Sequence, residues 1–500
     1  MKGQVTDISP RGMSRRRFLD RLTTLTQALF VTSFTCSARL FAKTVNQLPV
    51  EKLKALIEDR VISRTDSNYE VVRQSSVWQM IKPDKFPALI VQARSVNEII
   101  ETIRYARESN KKISVRCGGH SYYSSFLQDD MVMLDLSYLQ DISVDKKTGA
   151  ARVQPAARSV DFLERIAEHG FCFPAAHCGN VPLGGFLLGG GLGWNGEAWG
   201  GISCFNIREV EVVTAQGELI TADASRNADF YWAARGAGPD FFGVVTRFTL
   251  DLYKNPAVIL TTTLVWDIGE AKTVADWLDK TVRQMPDNVE TLLILADNPE
   301  QQQSGSDKIC IVQASVFADT EEIARTALGP LSGDGIPDGW INKSELVPTP
   351  LADLYEWDDT AYPRLRWDVD ALWSDDAPGE LVGKLVDHVR EMPSGKSSIL
   401  LLWKPYTKEL PDAAFSMIGS VYLACYAIWT SPEEDEINNH WVRKTMQLLE
   451  PHTKGHYINE SNYVAIPSRR VNSFSRTNHR KLKYLALQHD PDNLFHTYIE

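Results

Sequence analysis

The sequence holds only seven cysteines in 500 residues and has no CxxC pair. That excludes a disulfide-dense scaffold and offers none of the common zinc-ligand spacings. An excess of basic charge is missing as well: 53 Lys and Arg stand against 64 Asp and Glu, for a net charge of −11. A nucleic-acid binder needs a cationic face to displace counterions from phosphates, so that class is set aside. There is no internal repeat, no long low-complexity segment and no long uninterrupted apolar run. The nearest to one, Leu22 to Phe41, is broken by Thr and Ser hydroxyls that are costly in hydrocarbon. No membrane span is therefore expected in the mature chain.

What is present is the composition of an ordinary globular protein, 43% apolar and 23% charged. A chain this long exceeds what one hydrophobic core usually serves, so two domains are expected. At the N-terminus, Ser14-Arg15-Arg16-Arg17-Phe18-Leu19 forms a twin-arginine export pattern, with Asp20 where Lys is common. Residues 1–42 are read as a signal peptide, and the protein as one exported to the periplasm or secreted through the twin-arginine machinery. A basic amphipathic helix of the mature protein is the alternative. That export route carries proteins that fold before crossing, often with a cofactor inserted. Cys36 would leave with the signal, and the remaining cysteines lie too far apart in sequence to assign a disulfide.

Ser95-Val96-Asn97-Glu98 predicts a capping box, with Ile99, Ile100 and Ile103 on one helical face. Ile113 to Val115 reads as a strand running into Arg116-Cys117-Gly118-Gly119-His120-Ser121, and Val132 to Leu136 as a second strand. Val160, Leu163 and Ile166 mark a helix stopped by Gly170. Val210 and Val212 predict a strand, Gln216-Gly217 a turn, and Leu219-Ile220 the return of a hairpin. From about Pro256 tryptophan and acidic residues become frequent and glycine scarce, which places a domain boundary near 256. Gln301 to Ser306 reads as a polar loop, and Asp358-Asp359 and Asp375-Asp376 as solvated faces. Arg476 to Gln488 reads as a helix closed by Asp490-Pro491.

Three segments carry candidate chemistry. In Gly118-Gly119-His120-Ser121, glycines without a Cβ let backbone amides approach an anion such as a pyrophosphate, and Arg116 adds charge. A lone turn histidine is more often structural. In the second, Cys178-Gly179-Asn180-Val181-Pro182 leads to Gly184, Gly185, Gly189, Gly190, Gly191 and Gly193, six glycines within ten residues. Such a stretch orders only if something presses against its backbone, and a bulky cofactor is the natural occupant. Gly191 to Gly196 also satisfies G-x-G-x-x-G, but it lacks the preceding strand of a dinucleotide fold. His169, Cys172, His177 and Cys178 match no common zinc spacing. The third segment runs from Ala228-Asp229-Phe230-Tyr231-Trp232 through Gly236 and Gly238 to Phe242-Gly243-Val244-Val245-Thr246-Arg247-Phe248.

Together these segments resemble the FAD-binding domain of the p-cresol methylhydroxylase and vanillyl-alcohol oxidase superfamily, and above all its berberine-bridge-enzyme-like branch. Tyr457-Ile458-Asn459-Glu460 is similar to the branch's Y-x-N motif, and Asp490-Pro491-Asp492-Asn493-Leu494-Phe495 to its closing DPDNLF. The likeness runs from about residue 60 to the C-terminus, with a weakly matched middle. It implies an α+β fold in two parts: a PCMH-type FAD-binding domain of residues 45–255, completed by 455–500, and a substrate domain of 256–454 made of antiparallel sheet covered by helices.

It also implies FAD joined covalently to His120 and Cys178. The Arg116–Ser121 loop and the 184–193 glycines would wrap the cofactor, Val245 would touch it through its backbone, and Asn459 would lie near its edge. Val181 holds the position taken to gate dioxygen, where a small residue favours oxidase behaviour. The implied activity is removal of hydride from a small organic substrate, with dioxygen as acceptor and hydrogen peroxide as product. A dehydrogenase using a quinone or cytochrome, or a flavin binder without catalysis, are the alternatives. Pro182 departs from the branch's usual Gly, His479 from its Tyr, and Glu460 stands where some members carry a tyrosine base. Glu460 is therefore the candidate base and Tyr457 the reserve, against an exposed or Arg-paired Glu460. No metal ligand is expected. Trp357, Trp367, Trp373 and Trp403 suggest either a sugar-stacking surface or plain core.

Overall fold

The computed structural model describes residues 50–299, 307–333, 335–344, 346–355, 363–403 and 409–498. The proposed signal, the 301–306 loop, Trp357 and Asp358-Asp359 lie outside the described residues. Residues 59–500 form one compact unit; in the other, residues 50–57 are helical.

The larger unit is α+β. A four-stranded sheet is ordered Val61–Ser63, Leu89–Gln92, Val132–Asp135, Ile113–Arg116, and its last three strands run parallel. Leu89-Ile90-Val91 and Val132-Met133-Leu134 are buried runs without alternation, as parallel strands covered on both faces require. The helix Val96–Glu108 crosses between two of these strands, with Ile99 and Ile103 fully buried. Ser95 caps it by accepting the Glu98 N–H at 3.3 Å, a bond worth about 1 kcal/mol. The second half of the expected capping box is not made. The Glu98 carboxylate instead accepts the Arg94 N–H and pairs with Arg60, both at 2.7 Å, because a guanidinium outcompetes the Ser95 amide.

A five-stranded antiparallel sheet follows, ordered Ile142–Asp145, Ala150–Val153, Gly243–Asp251, Ile207–Thr214, Leu219–Ala222. The predicted hairpin is its edge, and Gly217 turns it at φ +78°. The helix predicted before Gly170 is Ser159–Ala167. The closing helix is Arg476–His489. Beyond it the chain pairs with the first sheet: the Ile113 N–H donates to Leu494 O at 2.8 Å, and the His496 N–H to Ile113 O at 2.7 Å.

The last segment is also tied to Asp240, a fully buried carboxylate. Arg470 reaches one oxygen at 2.7 Å, and the Tyr498 N–H donates to the other at 2.8 Å. Replacing Asp240 with Ala strands the Arg470 charge in the interior, an expected loss of about 3–5 kcal/mol in denaturant unfolding. A loss within 1 kcal/mol would mean that water reaches Arg470.

The long sheet is antiparallel throughout. Its order is Trp340–Lys343, Val258–Asp267, Lys308–Ala318, Val289–Asp297, Ser398–Trp403, Val421–Trp429, Arg366–Ser374, and Val347–Pro348 also pairs with the second of these. Period-two alternation divides its faces. Leu293, Leu295, Val312, Leu401 and Leu423 join a core with Leu278, Leu385 and Trp441 from the helices Ala271–Val282, Pro378–Arg390 and Asp435–Leu449. The opposite face turns towards the site. Trp367, Trp373 and Trp403 are core residues, 2%, 0% and 5% exposed, so they form no stacking surface. Among the described residues no helix is long and apolar enough to cross a membrane.

Candidate active site

A cavity of about 820 Å³ opens between the glycine-rich loops and the bare face of the long sheet. It lies in the upper part of the range for ligand pockets, roughly 300–1,000 Å³. Cys117, Gly118, Gly119, His120, Ser121, Cys178, Val181, Gly184, Gly185, Val245, Tyr457, Asn459 and Glu460 all line it. Residues from four separated stretches of chain thus meet around one space.

Ile113–Arg116 delivers the first loop. Gly119 sits at φ +74°, and a Cβ there would come within 2.0 Å of Ser76 O. At Gly118 a Cβ would meet the Pro182 ring, also at 2.0 Å, so Pro182 packs where a side chain would otherwise be. Pro182 has φ −74° and precedes the short helix Leu183–Leu188, a place where proline needs no N–H partner. Arg116 lines a neighbouring smaller cavity. Its guanidinium is engaged by Asp135 at 2.8 Å, Ser76 O at 3.1 Å and Gly118 O at 3.1 Å, so it braces the loop. The Cys117 thiol donates to Pro155 O at 2.9 Å, and burial pushes it up to about 12, which keeps it protonated.

His120 stacks on Trp78, ring centroids 4.5 Å apart, and its Nε2 is buried without a hydrogen-bond partner. Burial, reinforced by the positive charges of Arg116 and Arg364, lowers its pKa to about 3. The ring is therefore neutral, with a lone pair available in a place where the protein supplies no donor or acceptor. The residue lines the cavity, and an imidazole the protein leaves without a partner fits one that a ligand engages. Cys178 lines the same cavity and is not in a disulfide. The turn holding it is pinned by Ser159 N–H to Val181 O at 2.9 Å and Val160 N–H to Gly179 O at 3.0 Å.

Most of the glycine run works differently from expectation. Gly185 lines the cavity with open space where a Cβ would be, and Gly184 lines it while its Cβ would lie 2.8 Å from Pro155; Gly189, Gly190, Gly191 and Gly193 press on protein. A Cβ on Gly189 would lie 1.8 Å from Asn459 Oδ1, one on Gly190 2.6 Å from Phe415, and one on Gly193 2.1 Å from Pro174 O. Their missing side chains admit neighbouring chain, and only indirectly a ligand. Residues 191–196 run through turns with no strand before them, so the G-x-G-x-x-G match carries no dinucleotide fold. Val245 lies on Gly243–Asp251, just before a register shift that re-aims the strand.

The Tyr457 hydroxyl accepts the Gly191 N–H at 3.1 Å and Asn459 Nδ2 at 3.0 Å; the same Nδ2 donates to Phe186 O at 3.1 Å. Burial, with Glu460 nearby, drives the Tyr457 pKa strongly upward. Its geometry is that of a brace between the loop and Asn459. Glu460 is not exposed, and among the described residues no Arg pairs with it. Its Oε2 accepts the hydroxyls of Tyr422 and, at 2.7 Å, Tyr426. Burial raises its pKa, while the two tyrosines and the charge of His177 pull against that rise. His479 packs by Phe474, with Nε2 buried and unpartnered.

Sequence reasoning missed three polar residues here, Tyr422, Tyr426 and Glu290, and weighed a fourth, His177, only as a zinc ligand. Tyr422 and Tyr426 lie four apart on Val421–Trp429, the spacing that puts strand residues on one face, and that periodicity was the available signal. His177 lines the cavity and meets Glu290 at 2.6 Å, and the other Glu290 oxygen accepts the Asn195 N–H at 2.9 Å. His177 is so engaged and Cys172 lies in the short strand Phe171–Cys172; among the described residues the four zinc candidates form no group that could hold a metal ion.

A family model described as an FAD binding domain matches residues 87–223. The FAD-linked oxidoreductase ptmO of Penicillium ochrochloron is 32% identical over 397 residues, spanning 78% of this chain and 86% of that protein. Among solved structures, 6-hydroxy-D-nicotine oxidase from Arthrobacter nicotinovorans gives a TM-score of 0.77 at 20% identity, covering 89% of this chain and 98% of that one. The BBE-like 1 protein of Physcomitrella patens gives 0.75 at 18% identity, covering 90% and 98%. These two structures establish likeness of fold.

Proposed function

Since the chain belongs to the FAD-linked oxidoreductases and has the berberine-bridge-enzyme-like fold, we propose that it is an oxidase whose FAD is bonded to both His120 and Cys178. The carrying observation is that these two residues border one cavity together with Tyr457, Asn459 and Glu460, and that the protein leaves the His120 Nε2 unpartnered. When bound, FAD supplies the acceptor for a hydride from a substrate C–H bond and, in this reading, returns the electrons to dioxygen as hydrogen peroxide.

The protein's residues do the rest. Gly185 lets backbone approach the cofactor, while Gly118, Gly119 and Gly184 let the surrounding loops pack closely enough to shape its bed. Arg116 and Pro182 hold the loop in place, and Val181 is small enough to leave an approach for dioxygen. Glu460, its pKa raised by burial, takes the substrate's proton while Tyr422 and Tyr426 hold the carboxylate in position. The flavin part is assigned to residues 45–255 with 455–500, and the substrate part to 256–454. The twin-arginine pattern at Ser14–Leu19 supports export with the cofactor in place.

Denaturing the purified protein in acid tests the attachment. The pellet is expected to stay yellow and the supernatant colourless, whereas flavin appearing in the supernatant rules out a covalent bond. Oxygen uptake with peroxide release during turnover checks the acceptor; turnover only with an added quinone would assign a dehydrogenase.

A further inference from the structure

The cavity-facing half of the long sheet specifies what enters. Strand register arranges its side chains in rows. Gln313, Leu292, Leu402 and Tyr422 lie side by side, as do Ile311, Ile294, Leu400 and Ala424 in the next row, and Ala296, Ser398 and Tyr426 in the third. The middle row is wholly apolar. Across the three rows Gln313 and Ser398 are the polar members apart from the two tyrosines, whose hydroxyl protons both go to Glu460. A polyhydroxylated substrate loses hydrogen bonds to water at each hydroxyl it buries, and this wall has little with which to replace them. A hydrocarbon body, by contrast, gains about 25 cal/mol for each Å² removed from water.

Around Glu460 the charge is one-sided; Lys396, on the same cavity lining, makes no ion pair with it. Among the described residues no lysine or arginine pairs with Glu460. His177 is paired with Glu290, so whichever state the imidazole takes, two carboxylates against at most one imidazolium leave net negative charge when Glu460 is ionised. A buried carboxylate without a cationic partner is costly, and a cation arriving with the substrate removes that cost.

We propose, building on the flavin reading above, that this site takes an apolar amine: a hydrocarbon body lies on Ile294, Leu400 and Leu402, and its ammonium group is held by Glu460. On docking, the N–H bond breaks as the Glu460 O–H bond forms, leaving the nitrogen neutral beside the C–H bond to be oxidised.

The test is equilibrium binding to the anaerobic holoprotein, read by tryptophan fluorescence and by the flavin absorption band. The probes are N-benzylpiperidine, its uncharged analogue N-benzoylpiperidine, and cellobiose. The amine is expected to bind roughly tenfold to hundredfold more tightly than the uncharged analogue, and cellobiose more weakly than either. Glu460→Gln should remove the preference for amine over analogue. Leu400→Gln should weaken both apolar probes about tenfold while keeping that preference. A far-UV circular dichroism spectrum and thermal unfolding midpoint like those of the wild type show that each variant has folded. Absence of amine binding, tighter binding of cellobiose, or an amine preference that survives Glu460→Gln overturns the proposal. A protein that still holds its flavin after denaturation yet prefers cellobiose would sink only this inference; one without flavin would sink the oxidase reading as well.

Discussion

Glu460→Gln is expected to slow turnover about 10²–10⁴-fold, the usual contribution of a positioned general base. Gln keeps a carbonyl oxygen for the Tyr422 and Tyr426 hydroxyls to donate to, so the cavity wall should survive while the proton acceptor is lost. The pH dependence carries a second signature. A base works deprotonated, so kcat/KM should fall as pH is lowered through the Glu460 pKa. Burial sets that pKa above the ordinary glutamate value of about 4.3, so the acid limb should lie higher than for a solvated carboxylate. The groups facing the carboxylate are Tyr422, Tyr426, His177 and Tyr457, and the tyrosine hydroxyls together with His177 limit the rise. In Glu460→Gln the acid limb should vanish. An unchanged rate with the limb intact would remove Glu460 from the role. Tyr457 would be a poor replacement, because its own pKa is driven upward and its oxygen already receives two N–H donors.

Replacing both attachment residues should have an all-or-none effect. His120→Ala and Cys178→Ala singly are each expected to leave one bond, so acid-precipitated protein stays yellow. In the double variant all flavin should pass into the supernatant. Each single variant should also differ in flavin absorbance from the wild type, since one substituent on the ring is gone. If flavin remains fixed in the double variant, another side chain holds it; the Cys117 thiol, on the same lining but pushed up to about 12, would be a poor nucleophile for the purpose. If a single variant loses all covalent flavin, one residue alone makes the bond. A double variant that holds FAD reversibly should lose thermal stability on dilution, because a dissociable ligand stabilises only by mass action.

The local elements were legible because each rests on a signal carried by neighbours in sequence. Ser95 starts its helix, Gly170 ends another, and Gly217 turns the hairpin, each through its own side chain or lack of one. The Glu98 capping carboxylate was misread because its partner, Arg60, is 38 residues away. The glycine run shows the same limit. Six glycines in ten residues announce close approach, but whether ligand or protein approaches depends on Asn459, Phe415 and Pro174, which local sequence cannot place.

The resemblance carried by the order of GGHS, Cys178, the glycines and the closing motifs indicated an α+β flavoenzyme and the residues to examine, because such motifs are local and survive without knowledge of the packing. Tertiary structure alone decided the rest of the site's chemistry. His177 meets Glu290 across 113 residues, and Tyr422 and Tyr426 meet Glu460 across 38 and 34. The apolar rows exist only through strand register. Desolvation and charge pairing depend on what surrounds a group in three dimensions, so a carboxylate's role becomes readable only once its neighbours are in place.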